Sequence, residues 1–353
     1  MSSRIPHSKP TVGLREAQAI ARVIESGHPA RGAKCEEFER ELAMTIWAPQ
    51  VHALTSGTAA LHLALLATGA EAGKNVLLPS LACAALLNAV RYTGATPVLY
   101  DSGYDWDASL FAQLDRTSGD KTAAVIIVAS PGRAQTLDAP ENKEGFAAFG
   151  AAPVILDRCQ QLSGEAFAGT PAAFEVLSFY ATKCISTATG GAVACRRVED
   201  HLAIVDLTLH DKRDSYPRAR YNYQFDDIRA AMGIEQLAQL PQFTAARKKQ
   251  ASAYAAAFGR TLKEEDVSGM AFRYLHDCGS LQALDKLEDK LAYMEIETKR
   301  PVFKPLHRYL GLPDKDFPKA MDAWGRMLSL PLYPALTDAE RKRVCEAVRD
   351  AGG

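Results

Sequence analysis

The chain has 353 residues, 47% of them hydrophobic and 24% charged, which suits about two domains with buried cores and excludes disorder as the main state. Lys and Arg number 41 against 42 Asp and Glu, a net charge of −1 that supplies no cationic field for nucleic-acid phosphates. No stretch nears the roughly 20 consecutive apolar residues that span a bilayer, and MSSRIPHSKP lacks a signal-peptide core, so a soluble, cytoplasmic protein with no nucleic-acid or membrane partner is expected.

The seven cysteines are scattered and form no C-x-x-C pair, so reduced thiols are expected and no metal site; His276 and Cys278 lie close together but lack further ligands. In chain order, Leu14, Ala17, Ile20, Ala21 and Ile24 predict an amphipathic helix over 14–26, ended by Gly27 and Pro29, and a second helix follows over 35–47. From 51 to 200 short apolar runs alternate with helical segments: VHAL, a helix over 58–68, NVLLP, a helix over 82–92, PVLY, AAVIIVAS and PVILD. That alternation predicts an α/β domain with a mostly parallel sheet. Ile228 to Leu237 reads as helical, the Pro241 region as a hinge, and 243–258 as a long helix. Beyond it come a strand over 271–275, a helix over 283–292, a bend at Pro301 and Pro305 and a closing helix from Thr337. The expected organisation is a large domain over 1–240 that includes the N-terminal helices, and a smaller α+β domain over 241–353.

Several familiar signals fail. Gly69, Gly73 and Lys74 have the wrong spacing for a phosphate loop, and Asn75 stands where a Ser or Thr is needed; no G-x-G-x-x-G or G-x-S-x-G occurs. Three other features combine. Thr55-Ser56-Gly57-Thr58 joins the VHAL strand to an apolar helix, so free backbone N–H groups at the positive end of a helix dipole meet small hydroxyls, an arrangement suited to phosphate. Alone, Ser56 or Thr58 reads as a helix cap. Asp157 closes PVILD, where a buried strand delivers a carboxylate to the ligand edge of a sheet; Lys183 follows in SFYATK, and alone would be a solvated surface charge. Together they meet the needs of pyridoxal phosphate: an amine to hold its aldehyde as a Schiff base, an acid to keep the ring nitrogen protonated and a cradle for its phosphate. Lys183 is expected to be internal, because a lysine of ordinary pKa near 10.4 is too basic for this work.

These residues sit in a longer resemblance. Arg31-Gly32, Phe38-Glu39, TSGTAALHLAL, LLPS, NAVRYTGATPVLYD, LDRCQQLSGE, LSFYATK, GGAVAC, YNYQFDDIRAAMGIEQL, KPLHRYLG and LSLPLYPALT occur in the order and near the spacing of nucleotide-sugar aminotransferases of the DegT/StrS type. The chain resembles that family over nearly its whole length. The resemblance implies an aspartate-aminotransferase-like, fold-type I large domain, with pyridoxal 5′-phosphate as cofactor. Transfer would run from glutamate or glutamine to a keto group of a nucleotide-linked sugar. It further implies that Lys183 carries the cofactor, Asp157 pairs with the pyridine nitrogen and Gln160 contacts the phenolic oxygen. Gly57, Thr58 and Ser178 would hold the phosphate. Asn222 would reach the phosphate of a neighbouring subunit in a homodimer with shared active sites, and His307 would approach the substrate; their plainer readings are a loop turn and a surface histidine.

Two departures from the family pattern bear on specificity. Cys83 stands where an aromatic side chain usually packs on the cofactor ring, beside Ala82 in place of the usual Thr. Gln224 replaces a frequent Arg. Asp211 also stands where a Gly is expected after His210, with no function assigned to it. Sugar 3-dehydratases of this fold carry His in place of the lysine, so Lys183 argues against them. Aminocyclitol aminotransferases share these motifs, which leaves an inosose-type ketone open as acceptor; a non-catalytic or regulatory member of the fold is the alternative from another class.

Overall fold

A computed structural model describes residues 4–104, 119–129, 152–162, 172–211, 219–260 and 272–351. Ser130 of the AAVIIVAS run, residues 163–165 of LDRCQQLSGE and residue 271 of the expected strand lie outside the described residues. The apolar runs become strands β1 (Gln50–Leu54), β2 (Asn75–Pro79), β3 (Thr96–Tyr100), β4 (Thr122–Val128) and β5 (Val154–Asp157). Two more, β6 (Phe174–Ser178) and β7 (Gly191–Cys195), complete a seven-stranded sheet of order β1-β7-β6-β5-β4-β2-β3. Six strands run the same way; β7 alone is antiparallel, to both β1 and β6. The mostly parallel α/β sheet expected from the alternation is therefore present, and the carboxyl ends of six strands open on one edge.

Helices cover both faces, which is why the central strands are apolar on both sides. On one face lie α3 (Gly57–Ala67), α4 (Ala84–Thr93) and α5 (Val198–Thr208), sharing a core that includes Leu61, Leu65, Val76, Ile126 and Val193. On the other, α2 (Ala33–Ile46) and α6 (Asp227–Ala257) bury Phe38, Leu42, Leu177, Phe225 and Leu237. The N-terminal α1 (Leu14–Glu25) packs on α6 through Ala19 and Val23. Asp226 caps α6, while the carboxylate of Asp227 accepts from the backbone N–H groups of Gly32, Lys34 and Cys35 at the start of α2, so two distant segments of the family pattern meet.

Pro241, read from the sequence as a hinge, lies inside a helix that continues for four turns beyond it. A proline forfeits one backbone bond and crowds the preceding turn; here buried Leu237, Leu240, Phe243 and Arg247 anchor the helix on both sides. Beyond α6, β8 (Tyr274–Asp277) and β9 (Met327–Leu330) pair antiparallel, surrounded by α7 (Leu281–Tyr293), α8 (Leu306–Tyr309), α9 (Pro318–Arg326) and α10 (Asp338–Arg349). Their core, with Leu284, Leu291, Leu328 and Val344, also takes in Ile5, which bridges to Ile296. We propose that the large domain, 1–240, and the small one, 241–353, divide within α6. No helix among the described residues is long and apolar enough to cross a membrane.

One buried ion pair supports the sheet directly behind Asp157. Arg158 Nη1 donates to Glu175 Oε2 at 2.8 Å, and both side chains are fully buried. Removing one partner leaves the other charge in a dry interior, so Glu175→Ala should destabilise the protein by about 3–5 kcal/mol. A shift of the denaturant midpoint measures this; an unchanged midpoint would show that the pair is dispensable.

Candidate active site

The carboxyl edge is built around the start of β7. Leu54 of β1 and Ser178 of β6 both stand opposite Gly191, and Val128 of β4 stands opposite Asp157 of β5. The turns after β1, β5 and β6 thus converge. A Cβ on Gly191 would lie 2.3 Å from the Gly57 nitrogen and 2.4 Å from the Ser56 carbonyl carbon, so only glycine allows this approach. The Ser56 hydroxyl caps α3 by accepting from Ala59 N at 3.0 Å. The Gly57 and Thr58 N–H groups, in the first turn, are left outside the helical ladder. A Cβ on Gly57 would stand 3.0 Å from Ser178 Cβ and 3.1 Å from Cys159 Sγ, so Gly57 and Ser178 form one cradle closed from below by Cys159.

Cys83, Asp157 and Gln160 line a single narrow cavity with Tyr100, Tyr104 and Val302. Asp157 is buried, and its Oδ1 accepts from Cys159 N at 2.8 Å. Gln160 Oε1 is buried in this wall without a hydrogen-bond partner among the described residues. A buried amide oxygen left unpaired is costly unless a ligand donor meets it. Cys83, which precedes α4, is exposed. Burial first, then the Asp157 carboxylate, push the Cys159 thiol well above the usual cysteine range, while the Lys183 charge draws it back; this thiol is therefore protonated and inert.

Lys183 lies in the loop between β6 and β7, whose ends are tied by Phe179 N to Gly190 O at 2.9 Å and Ala181 N to Ala188 O at 3.0 Å. It was expected to be internal; the chain leaves it half-buried, with Nζ 5.6 Å from the centre of the Phe272 ring. Its charge reaches Cys159, the residue that Asp157 and Gly57 also touch. Asn222 is exposed, in a segment held to the end of β1 by Thr55 N to Tyr223 O at 3.0 Å. Gln224 Nε2 donates to the Thr208 carbonyl at 3.3 Å and does not reach the cavity wall.

His307 is neither at the surface nor in that wall. It is fully buried, stacked on Phe317 at 4.5 Å, with Nδ1 2.6 Å from Ser80 Oγ and Nε2 2.9 Å from Asp314 Oδ1. Both ring nitrogens are engaged, which makes it a positioning residue that bolts α8 to Ser80, just ahead of Cys83. Asp101, at the end of β3, adds to this joint by accepting from the N–H groups of Lys319 and Ala320 at the start of α9.

The sequence reading assigned no part to Tyr104, Cys159 or Arg273, all of which the fold brings to this region. Tyr104 and Cys159 carried no signal beyond their nearness to strand ends. Arg273 could have been flagged as a charge directly before a short strand whose neighbours are apolar.

Residues 10–349 match the model of the DegT/DnrJ/EryC1/StrS aminotransferase family. The chain belongs to this family. It is 30% identical over 385 residues to the spore coat polysaccharide biosynthesis protein SpsC of Bacillus subtilis strain 168, covering 98% of this chain and 96% of that one. With the GDP-perosamine synthase of Escherichia coli O157:H7 it shares 27% identity over 98% of both chains. Among solved structures, the PLP form of Spr1654 from Streptococcus pneumoniae superposes with a TM-score of 0.87 at 23% identity, over 99% of this chain and 98% of that one. The protein is thus a pyridoxal-phosphate-dependent aminotransferase of fold-type I.

Because Gly191 meets backbone and not a flexible side chain, Gly191→Ala must displace the Ser56–Gly57 turn in this aminotransferase. Its affinity for pyridoxal phosphate, measured by absorbance titration, should fall tenfold or more; an unchanged affinity would mean that the turn does not bind the phosphate.

Proposed function

We propose that this aminotransferase moves an amino group from glutamate or glutamine to a keto group of a nucleotide-linked sugar, as a cytoplasmic homodimer with shared active sites. The observation that carries the reading is the meeting of the Gly57–Ser178 cradle and the buried Asp157 carboxylate at Cys159, with the unpaired Gln160 oxygen in the same cavity wall as Asp157. The Lys183 charge acts on the same cysteine from beside a neighbouring cavity that it lines with Gln236 and Arg247. Those residues fit pyridoxal phosphate, which when bound supplies the electron sink that makes amine exchange possible. Similarity to a GDP-perosamine synthase supports a nucleotide-linked sugar as acceptor.

In this reading the Gly57 and Thr58 N–H groups and the Ser178 hydroxyl bind the phosphate at the positive end of α3. Asp157 holds a proton at the ring nitrogen, its own orientation fixed by the Cys159 N–H. Gln160 orients the ring from its edge. Lys183 anchors the cofactor and then moves the proton in each half-reaction, its Nζ lying beside the Phe272 ring. Cys83 gives the ring a small, polarizable neighbour in place of an aromatic one, so the ring face loses about 0.5–1.5 kcal/mol of stacking and gains room. The exposure of Asn222 beside the half-buried pair Tyr221 and Tyr223, stacked at 5.3 Å, supports a neighbouring subunit at this edge.

The test is a pair of half-reactions. Protein loaded with pyridoxal phosphate should lose its visible absorbance with L-glutamate or L-glutamine and regain it with a keto-sugar nucleotide. Recovery with inosose-type ketones alone would transfer the assignment to aminocyclitols, and a Lys183→Ala variant that turns over normally would refute the catalytic reading.

A further inference from the structure

Two cysteines mark the two sides of a flat group placed at Asp157. Cys159 lies on one side. Its N–H reaches the Asp157 carboxylate at 2.8 Å, and its Sγ is 3.1 Å from the Cβ that Gly57 lacks, so a ring spanning from the phosphate cradle to Asp157 rests on it. The other side opens on the narrow cavity that Asp157 and Gln160 line with Cys83, and Cys159 is not among the described residues of its wall. Cys83 lies within electrostatic reach of Cys159, which sets the two thiols near the same space. A cysteine side chain covers little of a six-membered ring, so the second face needs a further partner.

Two aromatic side chains among the described residues line this cavity, and they play different parts. Tyr100 is buried, donates its hydroxyl to the Ile126 carbonyl at 2.9 Å and packs with Leu77, Val125 and Leu156, so it belongs to the sheet. Tyr104, in the turn after β3, is half-buried and packs beside Leu81, Val302 and Phe317. That turn is pinned at its start. Asp101 accepts from the N–H groups of Lys319 and Ala320 at 2.9 Å, and the Tyr100 carbonyl accepts from Ser80 N at 2.9 Å, which fixes the turn after β3 against the one that carries Cys83. Burial pushes the Tyr104 phenol far above the ordinary tyrosine range, with the Arg273 charge opposing it, so the side chain is neutral and offers a ring, not a charge.

We propose that Tyr104 covers the second face of the cofactor ring, the aromatic partner that Cys83 does not supply; the assignment rests on the site proposed above. In that site Asp157 keeps the ring nitrogen protonated, so the bound ring is positively charged. The face of a phenol ring is negative, and such a pair gains cation–π attraction in addition to stacking. The room left by Cys83 is what lets a side chain from the neighbouring turn take this part. Because Asp101 ties that turn to α9, the cover over the ring is held from outside the sheet that carries the phosphate cradle. Tyr104 is therefore a cofactor-binding residue that acts through its ring and moves no proton.

The experiment titrates the full-length protein with pyridoxal phosphate, followed by absorbance, with inorganic phosphate as a competitor that has no ring. Tyr104→Ala should weaken pyridoxal phosphate about three- to tenfold, the range of one aromatic contact, while Tyr104→Phe, which keeps the ring, should stay within about twofold of wild type. Competition by inorganic phosphate should be the same in all three proteins. Equal affinity of wild type and Tyr104→Ala for pyridoxal phosphate overturns the assignment alone. So does an equal loss in Tyr104→Phe, which would assign the effect to the hydroxyl, or a parallel loss for inorganic phosphate, which would assign it to the cradle. Wild-type protein that takes up no pyridoxal phosphate overturns the site proposed above and this assignment with it. Should Tyr104→Ala fail to fold, a crystal structure of the loaded wild-type enzyme decides: the Tyr104 ring against the face of the cofactor supports the assignment, and a ring turned away from it overturns it.

Discussion

The approach of Gly191 to the Gly57 amide is the contact on which the site depends. β7 enters the sheet against the direction of its neighbours, and its first residue lies between the ends of β1 and β6 with no room for a side chain. That approach fixes the turn that starts α3, and α3 is held in turn by an apolar surface buried all round. A helix so anchored cannot tilt away, so its N-terminal amides keep a constant aim. Asp157 and Ser178, on the next strands, then fall beside those amides without any further device.

Charge is unevenly distributed along the site. Asp157 lies at one end, next to the buried ion pair of Arg158 and Glu175. Lys183, Arg247 and Arg273 gather at Phe272 on the other side. Arg247 and Arg273 of this pole come from the chain beyond Pro241, and the joint through His307, Ser80 and Asp314 holds that part of the chain against the wall that carries Cys83.

Much of this was legible in the sequence because local pattern and burial agree. NVLLP, AAVIIV and PVILD are apolar on both faces and have no other reading than buried strands, and Ser56 is a cap whichever ligand is considered. β6 was not legible, since FEVLS carries Glu175 at an interior position and only the distant Arg158 makes that tolerable. β7, made of small residues, has a pattern too weak to choose between strand and loop. Pro241 pointed to a break that tertiary anchoring overrides. His307 was visible as a residue of interest, but its direction depends on Ser80 and Phe317, far away in sequence or fixed only by the fold. The Phe272 cluster draws on three separate segments, so no window of sequence contains it.

The central claim is that Lys183, and no other amine of the chain, joins the cofactor across from Asp157. Reduction of the loaded protein with borohydride, followed by proteolysis and mass spectrometry of the peptides, addresses it directly. The account predicts a stable phosphopyridoxyl group on the peptide containing Lys183; the same label on another lysine, with the Lys183 peptide unmodified, would contradict it.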